Sequence, residues 1–247
     1  MIPVMIVAML GGPSVAGIVM TGVVDGRAGY RDLVSRLLQW RVGIGWYAST
    51  LLLAPLLMTA TGLVLSLLHH ESLPHVVPLI DKAPILRMGL TAGLAVGFCE
   101  ELGWTGFVIP RLRLRFSALT TGLIVGCLWG VWHLLVNLCS SGTPAGALSW
   151  PIFLGGIIFS MLLLPAFRIL MVWVNDRTSS LLVAMLMHFS LTASDMILPK
   201  AMTGMTGNTW TLILSAALWI VVVAAIVARR RQMSFEGGRG NLGGTRR

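Results

Sequence analysis

The chain has 247 residues, 56% of them hydrophobic and 11% charged, with a mean hydropathy of +0.85. That balance excludes an ordinary soluble domain, in which about a quarter of the residues are charged, and it defines an integral membrane protein. A net charge of +9 would suggest nucleic acid in a soluble protein, but in a membrane protein loop placement governs its meaning, and no nucleic-acid partner is expected.

Apolar runs long enough to cross about 30 Å of hydrocarbon fall at roughly 4–24, 44–68, 85–109, 118–139, 151–173, 179–198 and 209–228. The expected fold is therefore all-α, a polytopic transmembrane helix bundle of about seven spans. The first run lacks a basic leader and continues as a span, so no cleavable signal peptide is expected. Between the first two spans, Tyr30, Leu33, Val34, Leu37 and Leu38 share one helical face while Arg31, Asp32, Arg36 and Gln39 lie elsewhere. This pattern predicts a short interfacial helix. After the second span, His70-Glu71-x3-His75 resembles a zincin HExxH, but the second histidine is one residue late and Pro74 interrupts the helix that would align the ligands. His69, His70 and His75 read as solvated loop residues.

The third and fourth spans carry one repeated pattern. Gly89, Gly93 and Gly97 lead to Glu100-Glu101, and Gly122, Gly126 and Gly130 lead to His133. Glycines four apart form one stripe of a helix, and the residue three further on extends it. Such stripes let helix backbones approach closely in lipid. The expectation is that the two spans, joined by the turn Pro110 to Phe116, run antiparallel and meet stripe to stripe. An ionisable group in a span costs at least about 2.5–3.5 kcal/mol on insertion scales, so two carboxylates and an imidazole placed there point to function.

The fifth span ends near Arg168 and Arg177, and Thr178, Ser179 and Ser180 offer N-caps to the sixth. In the sixth, His188 and Thr192 lie one turn apart and share a face with Ala184 and Asp195. At 1.5 Å per residue from the inner helix ends, Glu100, His188 and His133 lie roughly 15, 14 and 20 Å deep. Cys99, Cys127 and Cys139 sit in or beside apolar runs and read as packing residues. Residues 1–231 form a single transmembrane domain with its core motifs in 89–192, and the glycine-rich, charged stretch 232–247 reads as a disordered cytoplasmic tail. With alternate connections facing the cytoplasm, 15 of the 18 Lys and Arg fall inside: Arg27 to Arg41, Arg111 to Arg115, Arg168, Arg177 and the tail. Only Lys82, Arg87 and Lys200 fall outside. This asymmetry predicts a multi-pass cell-membrane protein with a cytoplasmic C-terminus.

These residues resemble the CPBP intramembrane protease family, which includes type II CAAX prenyl endopeptidases and Abi-type bacteriocin-processing and immunity proteins. The family's EExxxR motif is similar to Glu100-Glu101-Leu102-Gly103-Trp104-Thr105, followed by Gly106-Phe107 and Pro110-Arg111-Leu112. Its aromatic-xxx-His motif is similar to Trp129-Gly130-Val131-Trp132-His133, and its HxxxN motif to His188-Phe189-Ser190-Leu191-Thr192. Two positions depart from the pattern: Thr105 replaces arginine, which leaves Glu101 without the cation expected one turn away, and Thr192 replaces asparagine.

The resemblance implies an intramembrane endopeptidase acting on a peptide or membrane-anchored protein at the bilayer. Glu100 would take a proton from water with His133 helping to position or activate that water, Glu101 would orient the site, and His188 and Thr192 would donate to the oxyanion. The family has often been labelled metalloprotease, and Glu100, His133 and His188 would be the ligands of a zinc ion. A site requiring no cofactor is favoured, because no second carboxylate-histidine motif supports a dedicated cage. The alternatives are a catalytically impaired Abi-type scaffold or immunity protein, motivated by Thr105 and Thr192, and, more distantly, a proton-coupled transporter. Asn137, one turn beyond His133, is a candidate to supply the amide function missing at Thr192.

Overall fold

The computed structural model describes residues 2–68, 79–142, 147–198 and 205–242. The chain forms α1 (Ile2–Leu37), α2 (Ile44–Leu68), α3 (Leu79–Gly103), α4 (Ile109–Arg113), α5 (Ala118–Ser140), α6 (Trp150–Ile158), α7 (Leu164–Thr178), α8 (Leu181–Ile197) and α9 (Met205–Leu242). A π-helical turn, Trp104–Val108, joins α3 to α4, and a second, Phe159–Leu163, joins α6 to α7, so each pair runs as one long rod. Six of the described helical segments are long and apolar enough to span a membrane. The sixth predicted span, α8, is shorter, at 17 residues. It is lined with buried residues and is packed by α3, α2 and α7, so it serves as the centre of the bundle. The bundle is polytopic and helical, as the apolar runs require. The zincin-like histidines 69, 70 and 75 lie outside the described residues, and α9 continues to Leu242 without a break at 231. Cys99, Cys127 and Cys139 are free thiols.

The interfacial helix is present as the second part of α1. Gly26 breaks the rod with φ of 60° and ψ of −142°, a left-handed conformation that suits glycine. Beyond it the apolar face divides. Leu33 is buried against Leu181 and Met185, while Val34 and Leu38 stay exposed. Pro110 has no N–H for the carbonyl of Gly106 four residues earlier. Arg36, from this helix, donates from Nη2 to that carbonyl at 2.8 Å and from Nη1 to the Thr105 carbonyl at 3.3 Å. The widened turn that carries Thr105 is thus braced from the surface helix.

The glycine stripes do not meet each other. The α3 stripe packs on α8, and the α5 stripe packs on α7 and the π turn before it. A methyl group at Gly97 would lie 2.7 Å from the Met185 carbonyl oxygen and 2.8 Å from the Phe189 nitrogen. One at Gly126 would strike the Cα of Pro165, and one at Gly130 the carbonyl of Ser160. Periodicity identifies a close-approach face but carries no partner identity, and each stripe takes a backbone from outside the pair. Gly97→Ala and Gly126→Ala are each expected to lower the apparent unfolding temperature in detergent, consistent with the roughly 1–3 kcal/mol that overpacking costs. Gly62→Ala, where a methyl meets nothing within 4 Å, should stay near wild type. Unchanged unfolding of both buried variants would contradict this packing.

Candidate active site

The second carboxylate of the Glu-Glu pair is fully buried, and so is Arg168. Arg168 Nη1 donates to Glu101 Oε1 at 2.9 Å and to Oε2 at 2.8 Å. His188 Nδ1 lies 2.8 Å from Glu101 Oε1, and Thr105 Oγ1 donates to Oε2. Three elements therefore converge on one carboxylate: α7 through Arg168, α8 through His188, and the π turn after α3 through Thr105. The reading of Thr105 is corrected here. Glu101 does not lack a cation, because Arg168 supplies one from another helix while the threonine hydroxyl keeps a bond to the same carboxylate. The placement of Arg168 in the inner loop is corrected too. It lies inside the apolar run 151–173, and a cation in a span needs an anionic or carbonyl partner, which was the available signal.

Trp129 is the second hub, recognised in the sequence only as part of a motif. Its side chain is buried, and Nε1 donates to Glu100 Oε2 at 2.9 Å. Arg168 Cζ lies 4.1 Å from the centroid of its ring, a cation–π contact beside a guanidinium whose Nε and Nη2 have no hydrogen-bond partner. The rings of His188 and His133 meet it edge to face, with centroids 4.8 and 5.5 Å away. His133 Nδ1 lies 2.8 Å from the Trp129 carbonyl oxygen. A carbonyl only accepts, so Nδ1 carries the proton and, in the neutral ring, Nε2 offers a lone pair.

Glu100, His133, His188 and Thr192 all line one cavity of about 650 Å³. The structure thus brings together every residue singled out in the three motifs, with Glu101 immediately behind the floor. Asn137 lines the cavity as well, but its Nδ2 donates to the Gly156 carbonyl at 2.9 Å and to Ser160 Oγ at 2.7 Å. Both amide protons are used in holding α5 to α6 and its π turn, which leaves none for an oxyanion. Among the described residues, no three His, Cys, Asp or Glu side chains are grouped so as to hold a metal ion, Glu100, His133 and His188 included. Glu101 is committed to Arg168 and His188.

A helical membrane bundle with a carboxylate and two imidazoles around a cavity floor belongs to the class of proteins that place acid–base groups inside the bilayer. Residues 82–194, which contain all three motifs, match the family model described as type II CAAX prenyl endopeptidase Rce1-like. Over those residues the chain is similar to this CAAX-protease (CPBP) family. It is similar to CAAX prenyl protease 2 of Methanococcus maripaludis, with 26% identity over 157 residues that cover 63% of this chain and 53% of that protein. The matched part spans about half the length of that relative.

The buried pair generates a prediction. Arg168→Met leaves the Glu101 carboxylate without a cation and is expected to cost about 3–5 kcal/mol, the range for breaking a buried ion pair from one side. Adding Thr105→Arg should return part of that loss by restoring a cation one turn from Glu101. Thermal unfolding of the purified variants in detergent measures both. Arg168→Met unfolding with the wild type would show that the pair is not holding the site.

Proposed function

We propose that the protein is an intramembrane endopeptidase that hydrolyses a peptide bond with a water activated by Glu100 and His133. The observation that carries the reading is the arrangement around Trp129, which gathers one carboxylate and two imidazoles at the floor of a single cavity. Glu100 accepts the proton of the attacking water, whose oxygen bonds to the scissile carbonyl carbon, and the carbonyl π electrons move to oxygen. His133, with Nδ1–H fixed on the Trp129 carbonyl, holds the water through Nε2. The C–N bond then breaks as Glu100 returns its proton to the leaving amine. A buried donor to the oxyanion is typically worth about 3 kcal/mol. The half-buried Thr192 hydroxyl, which lines the cavity, would be one oxyanion donor. His188 has already given Nδ1–H to Glu101, so it donates through Nε2 only as the imidazolium, with Glu101 as its counter-ion.

No step is routed through a metal, and the activity we propose needs no cofactor. The substrate is a peptide or a membrane-anchored protein that enters a mainly apolar cavity. The family relation supports a CAAX-type endopeptidase, and the matched relative is named as a CAAX prenyl protease. We place the protein as a multi-pass membrane protein with its arginine-rich helix ends, including the C-terminus, in the cytoplasm. One motive for a non-catalytic scaffold was the loss of the cation at Thr105, and Arg168 removes it.

Glu100→Gln and His133→Ala are each expected to reduce turnover of a cleaved peptide about 10²–10⁴-fold, the usual worth of a general base, with folding retained. Exhaustive chelation should leave the rate unchanged. Full turnover by either variant would remove the assignment, and loss on chelation with recovery on adding zinc would replace it with a metal mechanism.

A further inference from the structure

A proline inside a helix leaves a carbonyl of the preceding turn without its N–H, and in a membrane protein that carbonyl needs a donor from elsewhere. In α2, Pro55 vacates the Leu51 carbonyl, and Ser190 Oγ from α8 donates to it at 2.7 Å. Pro110 vacates two carbonyls. The π turn bonds Ile109 N–H to the Trp104 carbonyl, five residues back. The same spacing assigns residue 110 to the Thr105 carbonyl, and regular helical spacing assigns it to Gly106. Those are the two carbonyls that the Arg36 guanidinium takes, at 3.3 and 2.8 Å. One forked side chain thus replaces the donor that a single proline removes from both registers.

The fork is itself held. Arg36 Nε donates to Asp32 Oδ2 at 2.8 Å, one turn back on the surface helix. Leu33 meets the π turn so closely that a methyl at Gly106 would lie 2.9 Å from its Cδ1. At the start of the surface helix, Asp25 pairs with Arg111, the residue after Pro110. From both of its ends, therefore, the surface helix grips residues 104–113. The path from there to the site is short. Arg36 holds the Thr105 carbonyl, the hydroxyl of the same residue donates to Glu101 Oε2, and the other oxygen of Glu101 takes His188 Nδ1.

We propose that Arg36 is a positioning residue for the reaction, an assignment that rests on the peptidase reading. By holding the two vacated carbonyls it fixes the Thr105 hydroxyl on Glu101, and through Glu101 it fixes the His188 imidazole at the cavity floor. Arg36 does not line the cavity. Without its guanidinium the turn satisfies those carbonyls only by rotating them toward other donors, which carries the Thr105 side chain off Glu101. A misplacement of about 1 Å can cost about 10²-fold in rate, so the brace acts on kcat. Substrate binding uses the cavity walls and is left unchanged.

The test compares Arg36→Met, which keeps an apolar stem, with Arg36→Lys, which keeps a donor, as purified proteins in detergent. The probe is a quenched fluorogenic peptide of the prenylated CAAX type, with a panel of unlipidated apolar peptides beside it. Arg36→Met should lower kcat about 10–10²-fold with KM within about twofold of wild type, and Arg36→Lys should fall between Arg36→Met and wild type. Hydrogen–deuterium exchange in Arg36→Met should rise over residues 104–113 and stay at the wild-type level in α5. Pro110→Ala returns an N–H to the turn, so Arg36→Met should cost less turnover in that background than in the wild type. Wild-type kcat in Arg36→Met, a loss confined to KM, unchanged exchange over 104–113, or the same loss with and without Pro110 overturns the proposal. If Arg36→Met does not fold, Arg36→Lys alone and combined with Pro110→Ala carries the same comparison. No cleavage of any of these peptides by the wild type removes the peptidase reading, and the positioning role with it; an active wild type matched in rate by the Arg36 variants removes the positioning role alone.

Discussion

The Glu101–Arg168 ion pair is the interaction on which the rest of the site depends. Either charge alone in a span costs at least about 2.5–3.5 kcal/mol, so each is tolerable there chiefly because of the other. Together they tie α3 to α7, and the remaining capacity of the carboxylate holds His188 on α8 and Thr105 on the π turn. The guanidinium is spread over the face of Trp129, so the same cation reaches α5. Trp129 then fixes Glu100 through its indole N–H and His133 through its carbonyl. Four helices and both reacting groups are therefore positioned through one buried carboxylate that does not itself line the cavity.

Close helix approach makes this possible. Side-chain bonds of about 2.8 Å between helices require backbones that nearly touch, and the glycines of α3 and α5 supply that contact against α8 and α7. The π turns contribute differently. Each lies on the residues before a helical proline, Pro110 or Pro165, where the regular ladder of N–H donors is interrupted. A π turn adds a residue to the local ring and re-aims the side chains beyond it. Thr105 lies in the first, and Arg168 lies five residues after the second ends at Leu163.

Much of this was legible in the sequence. Apolar run lengths gave the helical bundle, and the face shared by Leu33 and Leu37 gave the surface helix that Gly26 sets off from the first span. Spacing placed Glu100 and His133 each at the end of a glycine stripe, and both line the cavity. What the sequence could not carry was partnership. Gly97 and Gly126 announce a close approach but not to which helix, so spacing alone pairs the stripes with each other. Arg168 sits near enough to a span end to pass as a loop cation, and only the fold shows its guanidinium against Glu101, 67 residues away in the chain. Asn137 reads as a spare amide because a helical face shows position, not bonding; α6 and the π turn after it take both of its protons.

The claim that this pair organises the site is tested most directly by a double-mutant cycle on Glu101→Gln and Arg168→Met, read as unfolding free energy in detergent. If the charges stabilise each other, the double variant loses less than the two single variants together, with a coupling of about 1–3 kcal/mol. Strict additivity would mean that each residue acts through its own packing, and would contradict the account.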